Sequence, residues 1–212
     1  MKIKTLFASV AAMLTCSALY GQVWNEIGDA GSAGIGAAQV VSGSGSLTAI
    51  SGEIVAGGGD EADVFLIEIS DFANFSASTV GGAGYDTQLF LFNADGSGQV
   101  HNDDFGGLQS TITSQGVFAN GTYALAVTAF NSDPLDAGAA AVFGFATWPG
   151  PDAQQRMPAS ANPFVSWTGA SAGGTYRISL TGASFVNVVP EPGSAMALIG
   201  LGLVGFARGR RR

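Results

Sequence analysis

The chain has 212 residues with 16 acidic and 8 basic side chains, a formal net charge of −8, one histidine and one cysteine. Such an excess of acid repels nucleic acid and anionic lipid headgroups, so neither is expected as a partner of the folded part. One cysteine cannot build a disulfide framework, and one histidine leaves transition metals without the ligands they prefer.

Residues 1–21 read as a secretory signal peptide. Lys2 and Lys4 form a positive start, 6–14 is apolar, and small residues allow cleavage after Ala18 or Gly21. Cys16 raises the possibility of a lipid anchor, but Thr15 stands where a lipobox wants Gly, Ala or Ser. If Cys16 leaves with the signal, the mature chain has no thiol. Residues 22–187 then form the folded part, with fifteen acids against Arg156 and Arg177, a net −13. That charge favours solubility outside a cell and attracts divalent cations.

From 22 to 45 the chain is rich in Gly, Ala and Ser, with Trp24 and Ile27 as expected anchors and the rest loosely ordered. Strand-like runs follow at 47–55, 63–69, 87–92, 110–118, 122–130, 141–147, 164–168, 175–181 and 184–189. Tyr123, Leu125 and Val127 share one parity, as do Tyr176, Ile178 and Leu180, and period two marks half-buried strands. Asn120-Gly121 between two runs predicts a type I′ hairpin. Residues 148–163, rich in Pro and Gly, predict a long loop. No sustained 3.6-residue apolar period appears, so the fold class is all-β, a single β-sandwich or jelly-roll domain.

One constellation of acids stands out. Asp60, Glu61 and Asp63 precede a strand, then come Asp86-Thr87-Gln88-Leu89-Phe90-Leu91-Phe92, Asn93-Ala94-Asp95-Gly96 and Asn102-Asp103-Asp104. Over residues 60–130 this order resembles the pre-peptidase C-terminal type of β-sandwich, an accessory domain often associated with calcium or carbohydrate. Asn93, Asp95, Ser97 and Asp104 stand at EF-hand-like spacing and are the candidate Ca2+ ligands, although no flanking helices frame them. Catalysis is not expected. His101 reads as a solvated loop residue, and no thiol or phosphate-cradling loop accompanies it.

The last 25 residues, 188–212, have a layout of their own. Pro190-Glu191-Pro192 forms a stiff, extended strip, because proline fixes φ and pushes its predecessor out of the helical region. An apolar run at 193–207 would make a helix of about 22 Å, short against about 30 Å of hydrocarbon. Arg208, Arg210, Arg211 and Arg212 place that end in the cytoplasm by the positive-inside rule. This order resembles the PEP-CTERM sorting signal of Gram-negative bacteria. The resemblance implies a transient inner-membrane anchor and processing at or near Pro-Glu-Pro by an exosortase-type enzyme. It also implies a producer that makes exopolysaccharide, and delivery to the outer surface or extracellular matrix.

The expected function is therefore that of an exported, non-catalytic, structural or adhesive surface protein, with extracellular polysaccharide as a partner through aromatics such as Trp148 or Trp167. Two alternatives accompany it. One is a calcium-dependent carbohydrate-binding accessory module; the other is an ice-binding-type secreted protein, since the same tail closes some proteins so described.

Overall fold

Two burial patterns sort the strands into layers. Gly174–Thr181 alternates residue by residue, with Tyr176, Ile178 and Leu180 inward and Thr175, Arg177 and Ser179 facing solvent. Thr87–Asn93 and Gly121–Ala129 are buried almost throughout. A strand wetted on one face alternates, whereas one covered on both reads as a continuous apolar run.

The computed structural model describes residues 21–57, 59–150, 152–169 and 172–187. All of the expected signal peptide but Gly21, and the whole tail with its expected membrane helix, lie outside the described residues. Among the described residues no helix is long and apolar enough to cross a membrane.

The strands in chain order begin with β1 (Gln22–Asn25), β2 (Gln39–Val40), β3 (Leu47–Ile54), β4 (Ala62–Ile69) and β5 (Ser76–Ser78). Next come β6 (Thr87–Asn93), β7 (Gly98–Asn102), β8 (Thr111–Thr113), β9 (Gly121–Ala129) and β10 (Pro134–Asp136). The last are β11 (Phe143–Thr147), β12 (Arg156–Pro158), β13 (Phe164–Trp167), β14 (Gly174–Thr181) and β15 (Ala183–Ser184).

One sheet has the order β1-β3-β14-β5-β8 and the other β11-β12-β7-β6-β9-β4-β15, with β2 also pairing β4. Ile50, Ile178 and Leu180 of the first sheet share a core with Phe65, Leu89, Leu125 and Val127 of the second. The arrangement is all-β and consistent with the expected β-sandwich. The second sheet also buries its other face: Val64, Phe90, Phe92, Ala124 and Ala126 lie under Val142, Phe143 and Phe164. It is thus a central layer between the first sheet and a cover drawn from residues 134–167. The antiparallel pair β10-β13 belongs to that cover.

Several expectations change. The Asn120-Gly121 hairpin does not form, because β8 joins the first sheet and β9 the central one, so the chain between them crosses layers. Asn120 Oδ1 instead accepts the Phe72 N–H at 2.8 Å, and Asn120 lacks the positive φ that a type I′ turn needs. The run 110–118 keeps only three strand residues. The loop at 148–163 contains β12, which pairs with both β11 and β7. In the N-terminal segment Trp24 packs on the core and donates its indole N–H to Gln39 Oε1 at 2.9 Å, while the Ile27 side chain is exposed and only its backbone is held, by the Gln39 amide.

Candidate functional site

The N-terminal segment spans both sheets. β1 lies parallel on β3 of the first sheet and β2 lies parallel on β4 of the central sheet. Residues 26–38 therefore cross from one layer to the other at one end of the core, and acids gather there. Half-buried Glu26 accepts the Ala30 N–H on Oε1 and the Glu53 N–H on Oε2, each at 3.0 Å. Exposed Asp29 accepts the Gly31 N–H at 3.0 Å. Asp63 lies on β4 at the same parity as Phe65, Ile67 and Ile69, so its carboxylate points into the core and is 0% exposed. Tyr176 of β14 donates its hydroxyl to Asp63 Oδ2 at 2.6 Å. One carboxylate oxygen from each of Glu26, Asp29 and Asp63 lies within 4.8 Å of the others. A cavity of about 340 Å3, lined by Glu26, Asp29, Glu53 and Asp60, opens onto this corner.

Gly52, paired with Tyr176 across the sheet, makes the corner sterically possible. A Cβ there would stand 2.2 Å from Glu26 Oε2 and 2.3 Å from the Tyr176 hydroxyl. Gly52→Ala is therefore expected to displace both groups and to cost about 1–3 kcal/mol of stability, read by denaturant titration.

Burial dominates the electrostatics of this corner. It pushes Asp63 up to about 8, against the Tyr176 hydrogen bond and with the help of the Glu26 and Asp60 carboxylates. Burial also raises Glu26 and Asp60, opposed by the backbone N–H groups that they accept. Asp63 Oδ1, Asp60 Oδ1 and the Tyr85 hydroxyl are buried with no hydrogen-bond partner among the described residues. Arg177 faces outward on β14 and Arg156 lines a different cavity, so neither neutralises the corner.

The expected calcium ligands are only partly brought together. Asn93, Asp95 and Ser97 form the turn between β6 and β7. Asn93 Nδ2 donates to Ser97 Oγ at 2.8 Å, and Ser97 donates its N–H and hydroxyl to Asp95 Oδ1 at 2.9 and 2.7 Å. Those two hydrogen bonds hold Asp95 below the usual carboxylate range. Asp104 lies beyond the opposite end of β7, past Asn102, which pairs with Leu89. A whole strand separates it from the turn.

His101 is not a solvated loop residue. It lies on β7, 7% exposed, and stacks on Phe90 at 4.2 Å and 6°. Burial, with Arg156 adding, holds it neutral with a pKa near about 3. Both ring nitrogens lack a partner among the described residues. An unmet buried polar group costs about 1–3 kcal/mol, so His101→Phe is expected to keep or raise the melting temperature. A clear loss of stability in that variant would mean that the imidazole has a partner.

His101 borders a cavity of about 320 Å3 with Gln88, Asp103, Asp133 and Arg156, and Phe130 and Phe145 at its edge. Phe145 is 94% exposed and Phe130 52%. The tryptophans expected at a glycan surface are packed instead: Trp167 sits in the aromatic cover and donates to the Ser32 carbonyl at 2.9 Å, and Trp148 packs on the main core.

Burial and the neighbouring Asp104, Asp86 and Asp133 push Asp103 up to about 6. The folded chain therefore holds this proton up to about pH 6, whereas the unfolded chain releases it near ~4. The stability it contributes is complete below ~4 and lost as pH rises through about 6. The melting temperature is expected to fall across that window, less steeply in Asp103→Asn.

Comparison with known proteins bears on the tail. Residues 188–212 match the family model of the PEP-CTERM protein-sorting motif. No curated protein matches the sequence. The match covers Pro190, Glu191 and Pro192 and Arg208, Arg210, Arg211 and Arg212, all outside the described residues. This motif implies export and processing by exosortase, a membrane enzyme. The chain thus joins an all-β body to a PEP-CTERM protein-sorting motif at residues 188–212.

Proposed function

We propose that this is an exported, non-catalytic surface or extracellular-matrix protein of a Gram-negative, exopolysaccharide-producing bacterium. The single observation that carries the reading is the sorting-motif match at residues 188–212. A short apolar helix behind Pro190-Glu191-Pro192 holds the chain in the inner membrane, and an exosortase-type enzyme releases the body. Cell fractionation of the producer tests this. The body is expected at the outer surface or in the matrix, and at the inner membrane when the processing enzyme is deleted. Equal release in both strains would contradict the proposal.

Glycan contact is a second reading, favoured by the exposed ring of Phe145 beside Gln88, Asp103 and Arg156. Aromatic faces with adjacent polar groups suit sugar rings, which are apolar on one face and hydroxylated at the rim. In pull-down on the producer's own polysaccharide, Phe145→Ala is expected to weaken binding about tenfold, or ~1.4 kcal/mol. Unchanged retention would remove this face from the reading.

A further inference from the structure

We infer that Glu26, Asp29 and Asp63 form a binding site for one Ca2+ ion, which clamps the N-terminal crossing segment to the central sheet. This site is distinct from the turn at Asn93–Ser97, and it does not depend on the sorting motif.

The geometry comes first. Ligands at about 2.3–2.6 Å from one ion lie no more than about 5 Å from each other. The three carboxylate oxygens meet that limit, all within 4.8 Å, although they come from positions as far apart in sequence as Glu26 and Asp63. Two sit on the segment that joins the sheets and the third on β4, so one ion would tie the segment to the central sheet.

An independent observation comes from Asp63 itself. It is fully buried, Tyr176 occupies Oδ2, and Oδ1 has no partner among the described residues. A buried carboxylate oxygen without a donor or a cation is strongly disfavoured. The Tyr176 hydroxyl acts here as an orienting group, fixing the carboxylate plane and leaving Oδ1 for the ion. The backbone N–H groups of Ala30, Glu53 and Gly31 hold the Glu26 and Asp29 carboxylates in the same way.

The ligand chemistry selects the ion. An all-oxygen, carboxylate-rich set suits a hard cation and not zinc or copper. Three carboxylates from a crossing segment and a strand do not impose an octahedron, and the adjoining cavity admits water and the half-buried Asp60. Ca2+ accepts six to eight oxygens in irregular geometry, whereas Mg2+ demands near-ideal octahedral coordination.

The test uses the full chain in mild detergent, stripped of divalent ions with chelator. Terbium reports binding directly, because Tyr176 hydrogen-bonds a ligand carboxylate and can sensitise a lanthanide held there. Wild type is expected to give sensitised terbium emission that Ca2+ quenches by competition. Its melting temperature should rise by about 5–10 °C at a hundredfold excess of Ca2+ over Kd. Asp29→Asn keeps the oxygen that accepts the Gly31 N–H and removes the ligand's charge, so it should fold and bind at least about tenfold more weakly. Asp63→Asn keeps an oxygen for the Tyr176 hydroxyl, so it should fold in chelator, and it should no longer respond to Ca2+. Absence of a Ca2+ response in wild type would overturn the inference. So would a response that survives intact in both variants, because the ion would then sit elsewhere.

Discussion

Phe92→Ala is expected to destabilise the chain by about 3–5 kcal/mol, the ordinary cost of emptying a fully buried phenylalanine site. For a domain of this size that corresponds to a melting-temperature loss of roughly 6–20 °C. Phe92 is 0% exposed and lies on the outer face of the central sheet. Its ring centroid is 4.4 Å from Phe164, 5.6 Å from Phe143 and 6.2 Å from Trp167. Those three rings belong to β11 and β13, so one deletion removes three ring contacts between cover and sheet, while Phe90 keeps its own with Phe143 and Trp167. The cover also supplies Phe145 and Arg156 to the cavity beside His101. Denaturant titration of the purified chain reads the effect. A cost below about 1 kcal/mol would mean that the cover is not packed on the sheet.

The second large effect falls on sorting. Replacing Pro190, Glu191 and Pro192 together with alanine is expected to abolish processing and leave the full-length chain in the inner membrane. By sequence, two prolines disfavour helix and favour an extended strip, the form in which a protease takes its substrate. Alanine, the best helix former, removes that constraint. Stability of the body should not change, since the substitutions lie beyond Asn187, the last described residue before the motif. Immunoblots of membrane and surface fractions separate the two outcomes. Normal release of the triple variant would show that the strip is not what the processing enzyme reads.

Much of the fold was legible because burial has a period. β14 announces itself by Tyr176, Ile178 and Leu180, and β6 by a run that is apolar on both faces. The double burial of β6 was the sign of a third layer, a reading that alternation on other strands obscured. Elements held by polar partners were not legible. β7 carries Gln99, His101 and Asn102, residues that fit a loop, yet its pairing with β6 buries the last two. Asn120-Gly121 matched a hairpin locally, but the strand before it belongs to the other sheet. Tertiary pairing decided both cases.

The acidic corner was half visible. Asp60, Glu61 and Asp63 stood out as a cluster, and the sign that was available is the parity of Asp63. It shares the parity of Phe65, Ile67 and Ile69, the side of β4 that faces the main core, where an acid needs a partner. Glu26 and Asp29 gave no such sign, because their place depends on β1 and β2 joining different sheets. The EF-hand-like count failed to gather its residues for the converse reason. Spacing along the chain puts Asp104 near Asn93 only if a loop closes between them, and a strand runs there instead.

Intact-mass spectrometry of the chain recovered from the producer's surface or matrix tests the central claim most directly. The account predicts a mature protein that ends at or near Pro190-Glu191-Pro192, without the apolar run and the arginines that follow. A secreted chain that still carries Arg212 would contradict it.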